Sequence, residues 1–408
     1  KLPAGDYVAL LVLHDGARSI DWGWTRFGIQ GPLAVAELDL PDRTLPGSSA
    51  SVPVALRLAG EIPPGATLRF DVHDAYERLV GRQEQAFTKR VLRVDVSCAF
   101  SRSIYNRLTV HVLDADGLPL LCQHAEFTVP RPRAYDTFQF IMWGDGGDDY
   151  IGALLRRQAA RSGVDAADLA FGSWQPQPLS GKERHGLRER LMALARTGIA
   201  PIPYVSRLQP DPETDSGIRQ PCLTDPAFRR AFEQALDERT ALCRPFSPLG
   251  ITMGDENYLG QSGEYCVSPT CRTHFQTWLQ SAYGTIDSLN RSWGTSLPDF
   301  AAARPALQGE LARPEDWPRW VDWRRSMDRV FADTHQFGRE TAQRTIQAAR
   351  VGCDGLLSDT PARGYDWELL GKSCSLLNVY LRDPAHVLLL RSFAKPGDLR
   401  GCWSGGYT

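Results

Sequence analysis

Residues 250–260 read GITMGDENYLG: a greasy approach, two adjacent acids at Asp255 and Glu256, then an Asn and a Tyr. Acids placed where apolar residues have just been buried are costly to desolvate. No Lys or Arg lies between Arg244 and Arg272 to neutralise them. The run into the acids has company. FQFIMW (138–143), DLAFGSW (168–174), IAPIPYV (199–205), LGITMG (249–254), CDGLLSD (353–359), SLLNVYL (375–381) and LRGCWSGG (399–406) are short apolar runs of the same kind. Helical patterns separate them. Phe228, Phe232 and Leu236 stack four apart behind Pro226, and Phe275, Trp278, Leu279 and Tyr283 keep one face apolar up to a stop at Gly284. Met327, Val330, Phe331, Thr334 and Phe337 mark a long helix. Strand and helix in alternation imply a parallel sheet. The length and the absence of a glycine-rich phosphate loop after the first strand favour a (β/α)8 TIM-type barrel, truncated before its last strand, over a doubly wound sheet.

Upstream the texture differs. Val52, Val54, Leu56 and Leu58 alternate with other residues, as do Leu68, Phe70 and Val72, Leu92, Val94 and Val96, and Leu108, Val110 and Val112. Period-two alternation with turns at 45–47, 63–65 and 114–117 predicts an Ig-like β-sandwich over 32–134. Residues 1–31, with Trp22 and Trp24, read as the remnant of a preceding sandwich. VPRPRAYD (129–136) is the boundary, and the barrel takes 135–408. The chain opens as though mid-domain and ends as abruptly, so it reads as clipped at both ends and silent on targeting.

Of 408 residues, 42% are apolar and 23% charged, with a net charge of -2. That is globular composition, with no electrostatic reason to bind nucleic acid or an anionic membrane. No apolar run approaches the ~20 residues of a membrane span. Nine cysteines form no dense framework, and the odd count leaves at least one outside any intrachain bridge.

Barrel enzymes do chemistry at the C-terminal ends of their strands, which puts Asp255 and Glu256 at the mouth. A partly desolvated carboxyl there has the raised pKa a general acid needs; the plainer reading is a solvated loop acid. The segment CRTHFQTWLQSAYGTIDSLNRSWGTSL (271–297) resembles the sequence after the fourth strand of family-42 β-galactosidases, retaining glycoside hydrolases of a large barrel clan. The match is carried by Phe275, Trp278, Leu279, Tyr283-Gly284-Thr285, Leu289-Asn290 and Trp293-Gly294-Thr295. The resemblance implies a β-linked oligo- or polysaccharide substrate and an Asn-Glu pair closing strand four, its Glu the acid/base. Here Glu256 matches the Glu and Asp255 stands in place of the Asn. GIRQPCLTDPAFRR (217–230) is similar to the family's Arg-then-Cys segment, which implies a sugar-site role for Arg219; a surface ion pair is the alternative.

The family often holds zinc with four cysteines. Cys222, Cys266 and Cys271 match three of them, and Ser268 stands where the fourth belongs. Three-cysteine structural zinc, a disulfide among these residues and free buried thiols all remain open. Ser268-Pro269 also suits a helix start. No histidine pattern suggests a catalytic metal, and no cofactor is required.

A retaining enzyme also needs a nucleophilic carboxylate, which the resemblance places at the end of strand seven. LRGCWSGGYT (399–408) has no acid after Asp398. Asp359 could reach the mouth; Asp398 begins its strand and points to the wrong end. Trp143, Trp174 and Trp403, near strand ends, suit stacking on sugar faces, and Tyr380 and Tyr407 could donate to hydroxyls. Two readings follow: a β-glycosidase with Glu256 as acid/base, or a carbohydrate-binding barrel without a nucleophile. Homo-oligomerisation and an extracellular or periplasmic location are further expectations, the latter from the sandwich and the implied substrate.

Overall fold

A computed structural model describes residues 2–40, 44–45, 47–147, 150–170, 176–210, 217–260, 266–356, 363–380 and 384–404. A hairpin of β1 (Gly5–Asp15) and β2 (Arg18–Ile29) comes first, its strands paired only with each other among the described residues. Its tie to the rest is backbone bonding of Ala4 with Leu120 and Cys122, and Trp24 lies 5.6 Å from the ring of Tyr150. Leu10, Leu11, Leu13, Ile20 and Trp22 are all exposed on it.

Two antiparallel sheets follow. One orders β3 (Leu33–Asp39), β4 (Ser51–Gly60) and β7 (Val91–Ser97). The other orders β6 (Leu79–Ala86), β5 (Thr67–Asp74), β8 (Tyr105–Leu113) and β9 (Pro119–Thr128). The alternating Val52, Val54, Leu56, Leu58, Leu68, Phe70, Val72, Leu108, Val110 and Val112 form their shared core, as the period-two pattern requires.

After the proline-broken linker, seven strands form one parallel sheet in chain order: β10 (Ile141–Met142), β11 (Ala166–Ala170), β12 (Ala200–Tyr204), β13 (Ile251–Asp255), β14 (Val351–Leu356), β15 (Leu376–Tyr380) and β16 (Leu399–Trp403). Each predicted apolar run supplies one of them. Between them run α1 (Tyr150–Arg161), α2 (Gly181–Ala195), α3 (Pro226–Cys243), α4 (Pro269–Tyr283), α5 (Ile286–Trp293), α6 (Trp317–Thr345), α7 (Trp367–Ser373) and α8 (Pro384–Phe393). Helix α4 starts as its sequence predicts: the Ser268 side chain accepts from the Cys271 N–H, Pro269 takes the first position, and Gly284 closes the helix at φ 71°.

The sheet curls into an incomplete barrel. Ala166, Ala200, Ile202, Leu249 and Leu376 pack together with Ile141 and Leu399 from the two edge strands. Above this floor, Trp143 and Trp403 meet edge-to-face at 5.3 Å, again joining the two edges. The linker fixes the two-sheet unit to the bottom of the barrel. The Arg133 guanidinium donates to the Ser247 carbonyl at 2.6 Å, and the Arg131 N–H donates to Ser247 Oγ at 2.9 Å.

Helix α6 lies against β13 through Gly338, where an added Cβ would sit 2.3 Å from Met253 Sδ and 3.1 Å from the Phe232 ring. Bulk at this point pushes the helix off the strand that ends in Asp255. Gly338→Val is expected to cost about 1–3 kcal/mol by overpacking, read as a lower urea midpoint at unchanged slope.

Candidate active site

Strand β13 does not run regularly into its acids. Thr252 pairs with Gly352, yet Asp255 pairs with Asp354, so β13 carries one residue more than its neighbour. Such a bulge re-aims the side chains beyond it. Gly254 takes φ 137°, and Glu256 itself sits at φ 53°, where a side chain is strained. The Glu256 N–H is held by the Asp354 carbonyl at 3.0 Å. Strand β14 is irregular one step further along, where Gly355 has φ 57°. A Cβ at Gly355 would fall 1.9 Å from Asp255 Oδ1. Glycine there makes the room the carboxyl occupies.

Both acids converge on one hydroxyl. Tyr380 Oη, at the end of β15, is 3.1 Å from Asp255 Oδ1 and 3.2 Å from Glu256 Oε1. A cation arrives from the loop after β12. Arg207 Nη2 is 3.5 Å from Glu256 Oε2, and its Nε donates to the Asp255 carbonyl at 3.2 Å. Glu256 is half-buried and Asp255 buried. Burial, then the charge of Glu256, pushes the Asp255 carboxyl up to about 7. The Tyr380 phenol is also pushed up, first by burial and then by the two acids.

Beneath the pair lies a polar layer that the sequence reading missed. Asn378 donates to Asp354 Oδ1, and burial lifts the Asp354 acid to about 6. Asp168 on β11 is buried, and among the described residues neither of its carboxylate oxygens has a hydrogen-bond partner. Its pKa is raised well above the usual range, by desolvation first and then by Asp354 and Asp255. The available signal was alternation: in DLA, CDG and LNVY, the polar residues Asp168, Asp354 and Asn378 interrupt apolar strands at inward positions.

Of the other expected sugar contacts, Trp143 is exposed and lies against both Trp403 and Tyr204, the latter ring at 6.2 Å. These aromatics line the same rim as Tyr380. Trp174, Asp359 and Tyr407 lie outside the described residues. Asp398 stays at the start of β16, where it accepts from the Lys395 N–H at 2.7 Å. Arg219 corrects the expectation placed on it. It is 1% exposed, and its guanidinium donates to the carbonyls of Leu208, Pro221, Tyr258 and Leu259. With four of its five N–H donors spent on backbone, it braces the loops flanking Glu256 instead of facing the mouth.

Cys222, Cys266 and Cys271 come together in the fold. All three sulfurs lie within 4.8 Å of one another, with Cys222 Sγ 3.7 Å from Cys271 Sγ and 3.9 Å from Cys266 Sγ. Ser268 Oγ stands 3.1 Å from Cys222 Sγ. Tetrahedral zinc with ~2.3 Å bonds to sulfur requires sulfur separations of about 3.8 Å, so this donor set fits the ion. None of the three forms a disulfide. The Arg219 N–H points at Cys266 Sγ at 3.3 Å, linking the cluster to the brace beside Glu256.

The sequence profile of the glycoside hydrolase family 42 β-galactosidases matches residues 209–302, the stretch that contains β13, its acids and the cysteine cluster. Over this stretch the chain is similar to the family-42 β-galactosidases. It is 30% identical over 166 residues to β-galactosidase BgaA of a Thermus species and 28% identical over 166 residues to a β-galactosidase of Thermus thermophilus. Each match takes in 35% of this chain and 25% of the relative, so the chain spans about a quarter of these curated proteins. Among solved structures, a β-galactosidase from Halorubrum lacusprofundi superposes with TM-score 0.48 at 16% identity, over 61% of this chain and 40% of that one.

A carboxyl whose proton is held more tightly in the folded than the unfolded state favours folding at low pH and loses that contribution as pH rises. For Asp255 the window runs from the unfolded value near ~4 to about 7. Asp255→Asn is therefore expected to match the parent in stability below about pH 4 and to exceed it increasingly up to neutral pH. Thermal melts across that range measure it.

Proposed function

We propose that this chain carries the acid/base half of a β-glycosidase site, hydrolysing β-linked oligo- or polysaccharides, β-galactosides first among them, by the retaining route. The observation that carries the reading is the position of Glu256. It closes a barrel strand inside the segment matched by the family profile, half-buried between the hydroxyl of Tyr380 and the guanidinium of Arg207. In this role its carboxyl protonates the glycosidic oxygen as the bond to the sugar breaks, then accepts a proton from the incoming water. Trp143 and Trp403 supply flat faces for the sugar. The parallel sheet is read as part of a (β/α)8 barrel and the two-sheet unit as Ig-like.

A second reading is favoured by β16. Among the described residues its C-terminal end, Trp403 and Ser404, offers no carboxylate where a retaining nucleophile would stand. A barrel that binds saccharide without cleaving it fits that end of the strand. The two separate cleanly. Hydrolysis of an aryl β-galactoside that falls at least a hundredfold in Glu256→Gln supports the enzyme; calorimetric sugar binding without turnover supports the binder. Full activity in Glu256→Gln removes the basis of the first.

The cysteine cluster is proposed to hold a structural zinc through Cys222, Cys266 and Cys271, with Ser268 or a water in the fourth place. One zinc per chain by elemental analysis is expected, along with a lower melting temperature after chelation. Cys271→Ala should abolish both the zinc and the effect of the chelator.

A further inference from the structure

We propose that Asp255, Tyr380 and Glu256 form a proton-sharing chain in which Asp255 stores the proton that Glu256 delivers. This rests on the glycosidase reading only for the use made of the proton. The chain itself follows from geometry. Tyr380 Oη lies within hydrogen-bond reach of both carboxyls, 3.1 Å from one and 3.2 Å from the other. A phenol carries a single O–H and can donate fully to one acceptor. Were both carboxyls ionised, one contact would set an anionic oxygen against the phenol oxygen with no proton between them. Both contacts are satisfied when one carboxyl is protonated and donates to Oη.

The surroundings decide which one. Glu256 has the charge of Arg207 beside it and side-chain access to solvent. Asp255 is buried at the end of β13, paired with Asp354 of the neighbouring β14 and within reach of the Tyr380 hydroxyl, and it lies close enough to Asp168 to raise that acid. No cation among the described residues makes an ion pair with its carboxyl. The charge therefore rests on Glu256 and the proton on Asp255. The upward pKa shift of Asp255, driven by burial and by Glu256, runs the same way. Gly355 reserves the space for Oδ1, so the second carboxyl is built into the site.

The transfer balances without any outside reagent. Asp255 passes its proton to Tyr380 Oη while the Tyr380 hydroxyl proton moves to Glu256 Oε1. Asp255 becomes the carboxylate, Tyr380 is unchanged, and Glu256 is the acid that protonates the departing sugar oxygen. When Glu256 takes a proton from water, the same path run backwards restores Asp255.

The test is a proton count on the whole chain by pH-difference infrared spectroscopy, alongside pH–rate profiles. Beside the bands of the buried Asp168 and Asp354, the parent is expected to show a protonated carboxyl band persisting to about pH 6 that is missing in Asp255→Asn and shifted in frequency in Tyr380→Phe. Turnover in both variants should fall about tenfold, with the pH optimum displaced to lower pH. A parent and Asp255→Asn that release the same number of protons between about pH 5 and 8 would overturn the stored proton. Unchanged rate and pH profile in Tyr380→Phe would overturn the relay. If the band behaves as expected but no glycoside is cleaved, the stored proton stands and the glycosidase reading falls.

Discussion

One extra residue in β13 governs the mouth of the barrel. A strand of strict period two would send Asp255 outward with Ile251 and Met253, into the packing between sheet and helices. The irregularity at Gly254 and the left-handed backbone of Glu256 turn both acids to the rim instead. The strain of that conformation is held by neighbours that leave it no alternative. Asp354 grips the Glu256 N–H, Gln209 donates to the Glu256 carbonyl at 3.0 Å, and the buried side chain of Asn257 donates to Met253 at 3.2 Å. Arg219 then ties the flanking loops together from below. Strain fixed by this many contacts marks a position kept for what it presents.

Below the rim the interior changes character from layer to layer. The floor is aliphatic, the middle holds Asp168, Asp354 and Asn378, and the top holds the acids with Tyr380 and the aromatics. Asp168, Asp354 and Asp255 cannot all ionise near neutral pH: burial raises each of them, and Asp354 and Asp255 raise Asp168 further. This layering opposes folding, and the large apolar contacts around α6 offset it: Trp323, Phe331, Met327 and Phe275 are fully buried there. The molecule gives up stability at its centre and recovers it at its periphery.

Much of this architecture is written locally. Each strand of the parallel sheet coincides with a short apolar run, because a strand buried on both faces needs little else. The caps of α4 were equally plain in Ser268, Pro269 and Gly284. What neutralises Glu256 was not, since the nearest cations in sequence lie beyond the stretch 244–272 while Arg207 sits 49 positions upstream and meets the acid only once adjacent strands pair. Arg219 misled for the opposite reason: its neighbours in sequence say nothing of the four carbonyls that converge on it. Asp354 shows only as one acid inside an apolar strand, because the groups that give it meaning, Asn378 and Asp168, come from strands distant in sequence.

The hairpin at the start of the chain carries a different kind of consequence. Among the described residues its two strands pair only with each other, and their leucines and tryptophans are exposed. Open strand edges with greasy flanks invite cross-chain pairing. Crowding in solution will thus be felt first by this ribbon, and clumping of concentrated samples would begin there.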